Sequence, residues 1–203
     1  MLYLSFFLNL LVLIGASIYV AYLMETIANS RRNRILYHSS NVREQGAILA
    51  ETIKRYVPDT EKYVLVEIGA GLARVAQHLK ANLGWKDVEA VEIGPVIAFI
   101  GKLRFLFIKP AVRYVRRDVF SYDLPTPAVV YAYVSEEILT NLHKEGRLDG
   151  RLVIALTFRI RDLVPTEEIP LKSWQNRILV YDLRSAKGVP ASEKKANAGN
   201  GEN

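Results

Sequence analysis

The chain has 203 residues, half of them apolar and 24% charged, with a formal net charge of +6; this is room for one α/β domain and an appendage. It contains no cysteine, which excludes disulfides, thiolate metal sites and cysteine nucleophiles, and His38, His78 and His143 are too scattered for a metal cluster. Basic and acidic residues interleave, which suits a solvated surface near anionic lipid or an acidic partner better than a nucleic-acid interface. No metal and no nucleic acid are expected.

From Leu2 to Met24 no residue is charged. At about 1.5 Å per residue this run is long enough to cross a hydrocarbon layer of about 30 Å. It lacks the basic start and small-residue cleavage site of a signal peptide. Arg31, Arg32 and Arg34 follow it, so the positive-inside bias predicts a single-pass protein with its large part on the cytoplasmic side. Ser40 or Asn41 can cap a second, amphipathic helix whose apolar side carries Val42, Ile48, Leu49, Ile53 and Tyr56, and Pro58 stops it.

The run Tyr63 to Ile68 is apolar and β-branched, suited to a buried parallel strand. Gly69 and Gly71 then permit a tight turn with close backbone approach to a ligand. Val75, Ala76, Leu79 and Leu83 recur at helical spacing behind it. A dinucleotide site would require glycine where Arg74 stands, so that a pyrophosphate could reach the helix N-terminus. Glu67 instead precedes the first glycine by two, giving E-x-G-x-G, and a carboxylate there suits a ligand with a cationic amino group.

Val88 to Ile93 reads as a second strand with Glu92 at its end, placed to hold a ribose diol in either kind of nucleotide site. A helix from Val96 to Phe107 follows, apolar nearly all round. Val112 to Val115 is a third strand, and Asp118-Val119 follows it. Ala128 to Val134 is a fourth strand; Ser135 then caps a helix, and Leu152 to Phe158 is a fifth strand. Pro165 and Pro170 mark a loop before a last strand at Arg177 to Leu183. Beyond it the composition turns to Lys, Ala, Asn, Gly and Glu, which predicts a disordered tail. The expected divisions are an anchor at 1–27, juxtamembrane and cofactor-closing helices at 28–60, an α/β domain at 61–184 and the tail at 185–203.

The E-x-G-x-G turn, with Ala73 where a third glycine often stands, resembles motif I of the class I S-adenosylmethionine-dependent methyltransferases. The resemblance implies a doubly wound, mostly parallel Rossmann-like methyltransferase sheet behind a transmembrane helix. It also implies S-adenosylmethionine as cofactor, held by Glu67, Gly69, Ala70, Gly71, Glu92, Ile93, Asp118 and Val119; in this reading Asp118 accepts from the adenine amino group and its apolar neighbour packs on the ring. With the anchor, Glu92-Ile93-Gly94-Pro95, Ile169-Pro170-Leu171-Lys172-Ser173-Trp174 and Leu179-Val180-Tyr181, the chain is similar to the small membrane-anchored protein-lysine N-methyltransferases that act on ATP synthase subunit c and the adenine nucleotide translocase. Leu72 and Gly94 depart from that pattern, Gly94 standing in place of the usual Asn or Ser.

The expected partners are a protein with an accessible lysine, in or beside the membrane, and the bilayer itself. Tyr131 and Tyr133 flank Ala132 at the fourth strand's end, and one of them is expected to face the site; Tyr133 and Glu136 are the catalytic candidates. Glu136 could steer a lysine ammonium or simply favour a helix N-terminus. Both tyrosines as core aromatics, and Asp118 as a turn residue, are the plainer alternatives. A nicotinamide-dependent oxidoreductase and a membrane scaffold without catalysis remain the competing functions.

Overall fold

A computed structural model describes residues 2–33, 42–172 and 177–185. The expected cap residues Ser40 and Asn41, the motif residues Ser173 and Trp174, Arg34 and almost all of the tail lie outside the described residues. Helix α1 (Leu2–Asn33) runs on past the apolar segment, and its Tyr3–Glu25 portion is long and apolar enough to cross a membrane. Helix α2 (Val42–Tyr56) lays Leu49 and Ile53 into the core.

Seven strands and three further helices follow: β1 (Val64–Ile68), α3 (Arg74–Leu83), β2 (Val88–Glu92), α4 (Pro95–Phe107), β3 (Arg113–Arg116), β4 (Ala128–Ala132), α5 (Glu136–Lys144), β5 (Leu152–Leu156), β6 (Glu167–Pro170) and β7 (Arg177–Asp182). They form one sheet in the order β3-β2-β1-β4-β5-β7-β6. Strands β1 to β5 are parallel, and β7 runs antiparallel between β5 and β6. The mixed sheet with helices on both faces is the expected doubly wound architecture.

Side chains alternate across the sheet, which sorts the core into two layers. Leu65, Val129 and Ile154 pack with Leu49, Leu79 and Phe105 beneath α2, α3 and α4. Val66, Val130 and Val153 pack with Leu139 and Leu142 of α5 on the opposite face. Glu67 shares the Leu65 face of β1 and so points under α3.

One expectation is corrected. The Pro165–Pro170 stretch contains strand β6, where the sequence suggested only loop. Two glutamates and a proline disfavour a central strand, but β6 is an edge: it pairs with β7 alone, and its outward groups meet solvent. Arg159 and Arg177 both reach Glu168 there, at 2.6 and 2.8 Å.

Candidate functional site

Strand order reverses at β1, which lies between β2 and β4 and is parallel to both. The C-terminal ends of β1, β2, β3 and β4 therefore meet along one edge at the switch point of the sheet, where open α/β folds bind ligands. The turn after β1 occupies that edge. Gly69 and Gly71 take left-handed conformations with φ of 66° and 54°. A Cβ on Gly69 would lie 2.5 Å from Val134 Cγ1. Ala73 is also left-handed, at φ 53°, and precedes the first residue of α3. The turn is tied down by Ala70 N–H to Val91 O at 3.1 Å and by Ala73 N–H to Ala70 O at 2.7 Å.

Glu67 lies beneath this turn, only 5% exposed, and its Oε2 accepts from Ala76 N at 2.8 Å in the first turn of α3. Burial pushes its carboxyl up to about 8, against the opposing pull of the Ala76 N–H; the Glu92 charge adds to the rise and Arg104 counters it. Arg104 itself donates to Leu72 O at 3.2 Å and to Gln77 Oε1.

Glu92 closes the end of β2 with both carboxylate oxygens engaged. Gly71 N donates to Oε2 at 2.8 Å and Gly94 N to Oε1 at 2.9 Å. One carboxylate thus joins the turn after β1 to the start of α4. Burial raises its pKa against the pull of the Gly94, Gly71 and Ile93 amides, with the Glu25 charge adding to the rise. Ile93, next in the chain, is half exposed. Asp118 is exposed at the end of β3; its Oδ1 accepts from Phe120 N at 3.0 Å and so caps a short 3-10 turn at Val119–Ser121. Val119 is half-buried beside it.

The two tyrosines separate. Tyr131 is in the core layer under the helices, whereas Tyr133 lies just past β4 with its ring stacked on Phe158, centroids 6.0 Å apart. Burial raises the Tyr133 hydroxyl pKa. Gly69 is packed against Val134 and the Tyr133 carbonyl, so Tyr133 belongs to the same edge as the glycine turn. Glu136 stands in the first turn of α5 after the Ser135 cap, and its Oε1 accepts from Arg161 Nη2 at 2.9 Å and Nε at 3.1 Å. Its charge is shared with that guanidinium.

Two residues of this edge were not expected from the sequence. Glu25, at the end of the apolar part of α1, accepts from Val96 N at 2.7 Å through Oε2 and so caps α4, whose own N-cap, Gly94, offers no side chain. Its Oε1 is buried without a hydrogen-bond partner and fills the space that a Gly94 Cβ would enter. No short motif marks Glu25 as the partner of a helix 71 residues further along the chain. Tyr114, on β3, donates to the Gly71 carbonyl with its ring fitted against Gly101 of α4. No short motif marks such a residue; strand pairing alone brings it to the turn.

No protein-family model matches the sequence, and no curated protein matches it. Solved structures do. An RNA methyltransferase from Salinibacter ruber in complex with S-adenosyl-L-homocysteine is similar at 14% identity and TM-score 0.59, over 75% of this chain and 97% of that one. A ribosomal protein L11 methylase from Lactobacillus delbrueckii subsp. bulgaricus is similar at 15% identity and TM-score 0.53, over 72% and 81% of the two chains. A mutant of MtNAS in complex with S-adenosylmethionine is similar at 18% identity and TM-score 0.54, over 69% and 62%. At such identities the likeness is one of architecture: the chain has the Rossmann-like methyltransferase fold, with an apolar helix at its N-terminal end.

Proposed function

We propose that the chain is a membrane-anchored S-adenosylmethionine-dependent methyltransferase whose acceptor is a lysine side chain of a protein in or beside the same membrane. The observation that carries the cofactor reading is the Glu67 carboxylate on the Ala76 N–H. A dinucleotide needs the N-terminus of α3 for its pyrophosphate. Here the Glu67 side chain already occupies the Ala76 N–H of that terminus, so a pyrophosphate would find this first-turn amide taken. The polar groups fit a nucleoside with hydroxyl and amino donors: Glu92 at the end of β2 and the exposed Asp118 carboxylate at the end of β3 are acceptors.

In this reading Glu92 holds the ribose, Asp118 and Val119 the adenine, Ile93 packs against the nucleoside, and Gly69, Ala70 and Gly71 let the backbone approach the amino acid end. Glu67 acts from below, by holding the first turn of α3 in place through the Ala76 N–H. The cofactor, when bound, supplies an electrophilic methyl group whose transfer to a neutral amine breaks the carbon–sulfur bond. Tyr133 and Phe158 form a wall past β4 that would keep water from the acceptor nitrogen and fix its approach, and positioning of this kind can supply much of the rate. Glu136, paired with Arg161, lies where it can balance charge as an ammonium approaches. The anchor supports a membrane substrate, because tethering raises the local concentration of an acceptor in the same bilayer.

The test is transfer of label from methyl-labelled S-adenosylmethionine by the full chain in vesicles to solubilised membrane protein and to total RNA, offered separately. Label on lysine is expected. Label on RNA would overturn the acceptor, and cofactor binding without label on either would favour a scaffold.

A further inference from the structure

Helix α4 is apolar on more sides than the domain covers. Ile97, Ala98, Gly101 and Phe105 face the sheet, and the opposite stripe carries Phe99, Leu103 and Leu106, with Phe107 beside it at the C-terminal end. Phe99 is 59% exposed, Leu106 69% and Phe107 80%, and Ile93 and Ile108 extend the patch past both ends of the helix. A surface helix of a soluble domain turns polar residues outward; one apolar all round is built to be covered.

What covers it follows from where α4 begins. The apolar portion of α1 ends at Glu25, and Glu25 Oε2 accepts from Val96 N at 2.7 Å. If α1 crosses a bilayer, that bond fixes the first turn of α4 at the level where the span emerges. Thirteen residues then run about 20 Å from that point. Lys102 and Lys109 are exposed along this run, placed to reach lipid phosphates while their stems lie on the apolar surface. Arg116 and Arg117, at the end of edge strand β3, are exposed nearby.

We infer that α4 lies in the lipid surface of the bilayer that α1 enters, with Phe99, Leu103, Leu106 and Phe107 immersed at the headgroup boundary. An apolar face with basic residues at its rim is the pattern of interfacial helices. Because the N-terminus of α4 joins Glu92 through Gly94, this orientation sets the ligand-binding edge of the sheet against the membrane. The inference rests on the spanning reading of α1 and is independent of the cofactor and the acceptor.

The absence of cysteine makes the test direct. Single variants Phe99→Cys, Leu103→Cys, Leu106→Cys, Leu11→Cys and Lys144→Cys of the full chain are labelled with a polarity-sensitive fluorophore. Each is reconstituted in phosphatidylcholine vesicles with a minority of phosphatidylglycerol and lipids spin-labelled near the headgroup. The three α4 positions should be quenched several-fold more than Lys144→Cys on α5. If Leu11→Cys is quenched by a deep spin label while the α4 positions match Lys144→Cys, the span stands and the inference falls. If α4 emission follows the protein-to-lipid ratio but not the quencher, a second copy covers the face, and the inference also falls.

Discussion

Glu67 is sealed under the first turn of α3 with its carboxyl pushed up to about 8, against 4.5 for a free glutamate. Between those two values the folded chain holds a proton there that the unfolded chain has released. Stability therefore falls as pH rises through that window and is unaffected by this group below about 4.5. Glu67→Gln keeps an acceptor for the Ala76 N–H and cannot ionise. The variant should match wild type near pH 5 and exceed it near pH 8.5 by a few kcal/mol at most. Urea midpoints at the two pH values measure this, and a gap that does not change with pH would refute the burial of that charge. Gly69 makes a second prediction at this scale. Alanine there must hold a left-handed conformation, at about 1–2 kcal/mol, and its methyl meets Val134 Cγ1 at 2.5 Å. Gly69→Ala should lose about 2 kcal/mol or more once crowding is added; a loss below about 0.5 kcal/mol would show that the turn is not strained as described.

The elements join through single side chains that cross between them. Glu92 ties the β1 turn to α4, Tyr114 ties β3 to the same turn, and Glu25 ties α1 to α4. The last tie predicts a dependence between two residues 69 apart in sequence. Glu25→Ala uncaps α4, an effect usually worth about 1 kcal/mol. Gly94→Ser offers a local cap, but its Cβ collides with the Glu25 carboxylate while Glu25 is present. Gly94→Ser should thus harm the wild type and help the Glu25→Ala variant, with a coupling of about 1–3 kcal/mol. Hydrogen exchange at the Val96 amide reads this without unfolding the chain, and additive effects of the two changes would sink the assignment of Glu25 as the cap. Gly94 offers no side chain for its own helix, and in this chain a carboxylate from another helix does the capping.

At the scale of the whole molecule, much was legible because buried parallel strands write themselves as short apolar runs and glycine turns interrupt them where φ becomes positive. Strands β1 to β5 and β7, the turn at Gly69 and Gly71, and the helices α3 to α5 follow from those two rules. The rest depends on pairing that a one-dimensional pattern does not carry. Strand β6 is acidic and proline-bounded because it is an edge, Glu25 reaches Val96 at the start of α4 across 71 residues of chain, and Tyr114 reaches Gly71 across 43. The sheet order collects these distant groups at one place, so a ligand bound there should stabilise the entire domain. A ligand at about a hundredfold excess over its Kd adds about 2.7 kcal/mol. For a chain of this size each kcal/mol raises Tm by about 2–4 °C. Saturating S-adenosylmethionine should therefore raise the melting point of the full chain in mild detergent by about 5–10 °C, followed through Trp85, which is buried with its indole N–H on the Tyr63 carbonyl. NADH should leave it unchanged, and Glu92→Ala should abolish the rise. A rise with NADH and none with S-adenosylmethionine would reverse the cofactor, because the α3 N-terminus would then be accepting an anion although Glu67 already occupies its Ala76 N–H.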